Sequence, residues 1–143
     1  IRLREVLRED MGGTYGVSIG SSASREPEPL YSVRIGFGAD PQRLDDLTRE
    51  VFAQIESLKR DGPSPDELAK VKEAQRREWE TNMRRNSWWI AQIVAREMLG
   101  EPIADVETFP QRLEAVTAEQ ITSAARNYLR TDRYVRVSLV PER

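Results

Sequence analysis

The stretch REDMGGTYGVSIG, residues 8–20, predicts a helix that stops at two adjacent glycines and a strand that starts directly after them. Apolar residues before it recur at the spacing of one helical face, which favours a helix over residues 1 to about 11. A glycine can take the left-handed conformation that ends a helix at little cost. Beyond the glycines, Tyr15, Val17 and Ile19 alternate with small residues, which is typical of a strand with one small-sided face.

The strand signal recurs twice further along the chain. A polar loop with two prolines separates the first strand from a second alternating run at residues 30–38, so the pair predicts an antiparallel hairpin. Glycines on both strands suggest that something approaches one face closely. Near the end, Val135, Val137 and Leu139 alternate with polar residues and predict a closing strand that joins the sheet.

The segment between the hairpin and the closing strand is helical in pattern. Asp40 before Pro41 predicts a helix start, and Ser64 with Glu67 three residues later forms a capping box before a long charged helix. The run RRNSWWIAQIVAREMLG, residues 84–100, carries enough bulky residues that we expect its helix to be buried on more than one side. Helices grouped between strands predict an α+β fold, a two-layer sandwich with helices packed on one face of a mainly antiparallel sheet.

Composition excludes several classes of function. The chain has 143 residues, which suits a single domain, and a formal net charge of −2, which argues against a nucleic-acid partner. It contains no cysteine and no histidine, so it offers neither a thiolate site nor a histidine-based zinc site, nor any catalytic triad that needs an imidazole. No apolar run is long enough for a membrane span. The absence of cysteine fits a periplasmic and a cytoplasmic location equally, so the sequence does not decide the compartment.

Arg8 and Tyr15 remain as the candidate site, seven residues apart across the glycine turn. One reading places Arg8 on a solvated helix face and Tyr15 half-buried with its hydroxyl on a neighbour. The other directs both donors into one cleft, where a peptide carbonyl can accept from the phenol and the guanidinium. The alternation groups Tyr15 with Val17 and Ile19, which favours the first reading unless that face lines an apolar chamber.

The stretch LREDMGGTYGVSIG resembles the carboxy-terminal, non-zinc domain of the pitrilysin-family (M16, inverzincin) zinc metallopeptidases, which holds an Arg and a Tyr at this spacing. The order of the later segments agrees: YSVRIGFGAD, then GPSPDELAKVKE, RRNSWWIAQI, VTAEQITSAARNYL and YVRVSLVPE. The resemblance covers nearly the whole chain. It implies an M16/LuxS-like domain spanning residues 1–143, from a bacterial zinc protease, that lacks the first strand and helix of the family's usual domain.

The same resemblance implies a role for the candidate residues. In the family, two similar halves enclose a peptide as a clamshell, and zinc is bound by an inverted H-x-x-E-H helix in the other half. Arg8 and Tyr15 would then bind the substrate backbone near the scissile bond, and zinc would be held by a homologous domain or subunit. This chain alone is expected to contain no catalytic residue, no metal ligand and no activity.

Two other functions are also compatible with the sequence. Some relatives of the family have lost catalysis and serve as structural or assembly subunits, and the chain fits that role as well. The third reading is an interaction domain that shares only the fold. The presence of both Arg8 and Tyr15 favours the peptidase.

Overall fold

The computed structural model describes residues 2–10, 12 and 14–140, without the side chains of Glu9, Asp10 and Tyr15. The chain forms two compact units. The first comprises the residues up to Gly62 together with those from Thr122 onward, and the second comprises Pro63–Ile121.

The first unit begins with the helix, turn and hairpin that the sequence predicts. Helix α1 (Arg2–Arg4) continues as a π-helical turn (Glu5–Asp10), and Gly12 follows with φ +57°. Strand β1 (Thr14–Ser24) then pairs antiparallel with β2 (Leu30–Ala39). The predicted helix stop and the predicted hairpin are both confirmed.

Helix α2 (Leu44–Asp61) covers one face of this hairpin after a 3-10 turn at Pro41–Arg43. The Asp40 side chain accepts a hydrogen bond from the Gln42 N–H at 2.9 Å, so the predicted helix start is confirmed. The core of the unit joins all of these elements, and Leu7 and Leu47 are completely buried within it. Its buried members are Leu3, Leu7, Val17, Leu47 and Val51, with Ile35, Phe37, Ala39 and Ile55 packed around them.

The predicted closing strand is not found. Helix α6 (Ala118–Tyr128) is followed by an extended tail, residues 134–140, which pairs with neither described strand. The tail contacts α2 instead. The Tyr134 and Phe52 rings pack with centroids 4.8 Å apart, and Arg136 forms an ion pair with Asp45 at 2.6 Å. The alternation is real, but the tail packs on α2 and not along the free edge of either described strand. Its apolar side chains are therefore exposed, from 56% at Val140 to 100% at Leu139.

The second unit is helical. It contains α3 (Pro65–Asn82), α4 (Asn86–Leu99), a 3-10 turn (Ile103–Val106) and α5 (Phe109–Glu114). The capping box at the start of α3 is confirmed, because the Ser64 hydroxyl accepts from the Glu67 N–H while the Glu67 carboxylate accepts from the Ser64 N–H.

The expectation that residues 84–100 form a helix buried on more than one side is wrong. No residue of α4 is buried, and one side of this helix exposes large apolar side chains. The exposed residues are Ile90, Ile93, Val94 and Met98. Bulk alone suggested burial, but nothing within the second unit covers that side of α4. Over the described parts of both units, no helix combines the length and the apolar character that a membrane span requires.

Candidate functional site

Arg8 lies at the end of the first helix, in a turn with unusual geometry. It belongs to the π-helical turn and is exposed, directly after the completely buried Leu7. Single π-helical turns are rare and often occur at functional sites. Among the described residues Arg8 has no ion-pair or hydrogen-bond partner. Leu7 thus fixes the backbone at this point, while the guanidinium beside it is available to a ligand.

Tyr15 lies at a β-bulge. The pairs Thr14 with Ala39 and Val17 with Phe37 span three residue steps on β1 but only two on β2. Tyr15 and Gly16 therefore occupy the length of strand that a single residue occupies on β2. Bulges of this kind redirect a side chain or end the strand pairing, and they are frequent beside active sites.

The Thr14 side chain holds the bulge together. Its hydroxyl accepts a hydrogen bond from the Gly16 N–H at 3.2 Å and donates one to the Gly16 carbonyl at 3.0 Å. Thr14 is buried, with 8% of its surface exposed. The hydroxyl thus satisfies backbone groups that the irregular pairing leaves without a strand partner.

The bulge removes the alternation argument for Tyr15. Thr14 and Val17 are both buried although they are three residues apart, which regular alternation does not allow. Strand parity therefore cannot group Tyr15 with Val17. The Tyr15 side chain itself lies outside the described part of the structure. The structure places the backbones of Arg8 and Tyr15 on the two sides of the Gly12 turn, each directly after a buried residue.

The hairpin also presents a face of small residues. A methyl group added at Gly16, Gly20 or Gly38 would meet no atom within 4 Å, whereas at Gly36 it would meet the Ser18 hydroxyl at 3.0 Å. This face is therefore open along most of its length. Within the described residues each strand pairs only with the other, so the outer edge of each carries no strand partner.

The donor set of this chain does not fit a zinc site. The sequence has no histidine and no cysteine, and among the described residues no three acidic side chains cluster closely enough to hold a metal ion. The described residues therefore offer no ligand set that zinc would prefer.

Carboxyl groups with a lowered pKa lie on α2, at the start of α6 and after α6. The hydrogen bond from Lys59, with a second from Thr131, lowers the pKa of Glu56 below its usual value. The Arg130 guanidinium holds the pKa of Asp132 down to about 2. Both carboxyls are exposed, so these are surface pairs that stay ionised and are not candidate acids or bases.

Comparison with known proteins identifies the family. Residues 1–75, about half of the chain, match the family described as "Peptidase M16 inactive domain". A curated relative named "Zinc protease PQQL-like", from Arabidopsis thaliana, is 24% identical over 98 residues, which cover 65% of this chain and 10% of that protein.

Solved structures share the fold. The peptidase M16 inactive domain from Pseudomonas fluorescens aligns with a TM-score of 0.76 and 23% identity, over 92% of this chain and 30% of that one. The periplasmic protease PqqL from Escherichia coli aligns with a TM-score of 0.70 and 23% identity, over 90% of this chain and 14% of that one. A protease from Helicobacter pylori aligns with a TM-score of 0.74 and 16% identity, over 90% and 30% respectively.

These matches confirm the α+β class, in which α1 and α2 pack on one face of an antiparallel hairpin. The chain spans less than a third of each of these relatives. With half of its length matched by the family model, the chain belongs to the peptidase M16 inactive domain family.

Proposed function

We propose that this chain is the carboxy-terminal, substrate-binding domain of a zinc metalloendopeptidase that encloses peptides between two similar halves. The observation that carries the proposal is membership in the inactive-domain family by a chain without histidine or cysteine. Zinc is then bound by a homologous domain or subunit, and this chain acts as one domain that contributes peptide contacts. Alone it neither binds zinc nor cleaves peptides.

In this proposal Tyr15 and Arg8 contact the scissile peptide. A tyrosine phenol has an ordinary pKa near 10, so at neutral pH it is protonated and can donate to the carbonyl oxygen that gains negative charge. The guanidinium offers a rigid fork of donors to a neighbouring carbonyl. The bulge at Tyr15 and the unpartnered guanidinium of Arg8 support these roles.

The hairpin edge supplies a second way to hold the peptide. Extended peptides commonly bind by adding a strand to a free sheet edge, with main-chain hydrogen bonds giving affinity. Residues 14–20 and 30–38 each have such an edge within the described chain. A peptide bound there would run beside the turn that carries Arg8 and Tyr15.

The test uses the protein or assembly that contains both this domain and a zinc-binding half. Tyr15→Phe removes one hydroxyl and should lower kcat/KM for an unstructured peptide by about 10²-fold or more, as expected for the loss of one oxyanion donor. Arg8→Ala should lower it as well, because the fork of donors is lost. Zinc content should not change in either variant, since neither residue binds metal.

Matched controls separate these roles from general damage. Arg4→Ala removes a second exposed arginine of the same helix, and Tyr134→Phe removes the hydroxyl of an exposed tyrosine in the tail, outside the hairpin. Both should keep wild-type rates. If Tyr15→Phe and Arg8→Ala also keep wild-type rates, the assigned roles are wrong.

A non-catalytic assembly subunit is the second candidate, favoured by the exposed apolar side of α4. If the assembled protein containing this chain cleaves no peptide in the presence of zinc, and Met98→Glu or Val94→Glu prevents its assembly, this second function replaces the first.

A further inference from the structure

The second unit contains a cleft that the sequence did not reveal. It lies between α3, α4 and the segment of the 3-10 turn and α5, with a volume of about 360 Å³. That volume is at the small end of the range for ligand sites, so it suits one side chain with its flanking groups rather than a folded partner.

Two helices build the walls by simple periodicity. Gln75, Trp79 and Asn82 lie on one face of α3, and Trp88, Gln92 and Arg96 recur every four residues along one face of α4. Each wall thus combines an indole ring with carboxamide side chains. The helical spacing of these residues is visible in the sequence. It does not predict a cleft, because a helix face that mixes polar and aromatic residues can equally be exposed to solvent.

The aromatic side chains are held in place before any ligand binds. The Trp79 indole N–H donates to the Val106 carbonyl at 3.3 Å, and its ring stacks on Phe109 with centroids 6.5 Å apart. The Trp88 and Trp89 rings pack edge to face with centroids 5.4 Å apart, and the Trp89 indole N–H donates to the Met83 carbonyl at 2.9 Å. A pre-formed cleft of this kind loses little conformational entropy on binding.

The cleft also collects polar groups without partners. The Arg96 Nε is buried and makes no hydrogen bond in the described chain. The side chains of Gln75, Asn82, Gln92 and Trp88 also have no hydrogen-bond partner among the described residues, although Gln75 is exposed and the other three are only partly buried. The buried, unpartnered Arg96 Nε costs free energy, and a ligand carbonyl recovers that cost when the guanidinium turns toward the cleft.

Charge selects the class of ligand. The Arg96 guanidinium is already bound by Glu101 at 3.4 Å, with Asp105 at 4.0 Å, and Glu78 lines the same cleft. Arg112 also lines the cleft, and its guanidinium donates to the Asp105 backbone carbonyl at 2.9 Å. The three carboxylates named above outnumber the two guanidinium groups, so the positive charge is compensated, which disfavours phosphate and other anions. Carboxamide side chains both donate and accept, so they match the N–H and C=O groups of a peptide, and the rings match an apolar side chain.

We propose that this cleft binds a neutral, extended peptide segment by one apolar side chain, seated between Trp79 and Trp88, with its flanking amides bonded to Gln92 and Arg96. The inference rests on the cleft alone and does not depend on a zinc site or on Arg8 and Tyr15. It adds a second peptide contact to a chain that we propose to be part of a peptidase.

The chain provides its own reporter for the test. All three tryptophans of the sequence, Trp79, Trp88 and Trp89, lie in this unit, so the intrinsic fluorescence of the 143-residue chain reports on the cleft. Acetylated and amidated Gly-Leu-Gly should change the emission in a saturable way, and the matching triglycine should not. Added salt should alter the Kd by less than about twofold, because the proposed ligand is neutral.

Variants locate the binding. Trp88→Ala should raise the Kd about tenfold or more, and Gln92→Ala should raise it about threefold to tenfold, as for the loss of a neutral hydrogen bond. Gln111→Ala is the matched control, because this exposed carboxamide of α5 does not line the cleft, and it should leave the Kd nearly unchanged. Gln92 supplies the test even if Trp88→Ala fails to fold, because its amide has no structural partner in the described chain.

Three results would overturn the inference. They are equal responses to the leucine peptide and to triglycine, an unchanged Kd in Gln92→Ala, and tighter binding of a succinylated peptide that weakens steeply with salt. The last would mean that the cleft binds anions. None of them bears on Arg8 and Tyr15, so the failure of this inference is distinguishable from the failure of the proposed function.

Discussion

Replacing Leu47 with alanine should destabilise the first unit more than any surface change. Leu47 is completely buried and packs in the core that joins α1, the hairpin and α2. The substitution removes three carbons, worth about 0.8 kcal/mol each in transfer free energy. A cavity term adds to that sum, and buried Leu→Ala changes fall at about 3 to 5 kcal/mol. We therefore expect the free energy of unfolding to fall by about 3 kcal/mol.

Urea unfolding followed by circular dichroism measures this loss directly. The urea concentration at the unfolding midpoint should fall. The dependence of the free energy of unfolding on urea concentration should stay the same, because the surface exposed on unfolding hardly changes. In a chain of this length the melting temperature should drop by about 10 °C.

Leu139→Ala is the matched control, since the same atoms are removed from a side chain that is 100% exposed. It should change the free energy of unfolding by less than about 0.5 kcal/mol. A loss below about 1 kcal/mol for Leu47→Ala would refute the core assignment. A loss at Leu139 equal to that at Leu47 would mean that the tail is buried in solution.

Three further changes test local features. Thr14→Val should cost about 1 kcal/mol and expose the Gly16 amide to hydrogen exchange, whereas Thr14→Ser should keep that amide protected, because its hydroxyl remains. Ser64→Ala should cost about 1 kcal/mol in urea unfolding through the loss of the helix cap. Glu56 has a folded pKa below its ordinary 4.5, so its contribution to stability is full above that pH and is lost as the pH falls through the folded value. Glu56→Gln should therefore reduce the fall in the free energy of unfolding at acid pH. Lys59→Met should reduce it similarly, because it removes the partner of Glu56.

The local rules of helix and turn formation carried most of the fold prediction. Capping at Asp40 and Ser64, the glycine stop and the hairpin alternation all depend on residues adjacent in sequence, and all were confirmed. Burial was harder to predict, because it depends on what packs against an element. Helix α4 has bulky residues but exposes one apolar side. The tail has the alternation of a strand but pairs with no strand in the described chain.

The candidate site was predictable only in part. The spacing of Arg8 and Tyr15 was visible, but the bulge between Thr14 and Val17 was not. A bulge depends on the register between two strands, and its only local signal is a threonine two residues before a glycine. Regular alternation along β1 would place Tyr15 on the same face as Val17. The bulge interrupts the alternation between these two residues, so this placement no longer follows.

A double-mutant cycle on Arg8 and Tyr15 tests the central claim most directly. It compares kcat/KM of the zinc-containing assembly for wild type, Arg8→Ala, Tyr15→Phe and the double variant. Because both side chains are proposed to bind one peptide near the scissile bond, we predict a double loss smaller than the product of the single losses, with Tyr15→Phe acting mainly on kcat. Wild-type kcat/KM in all three variants would contradict the account.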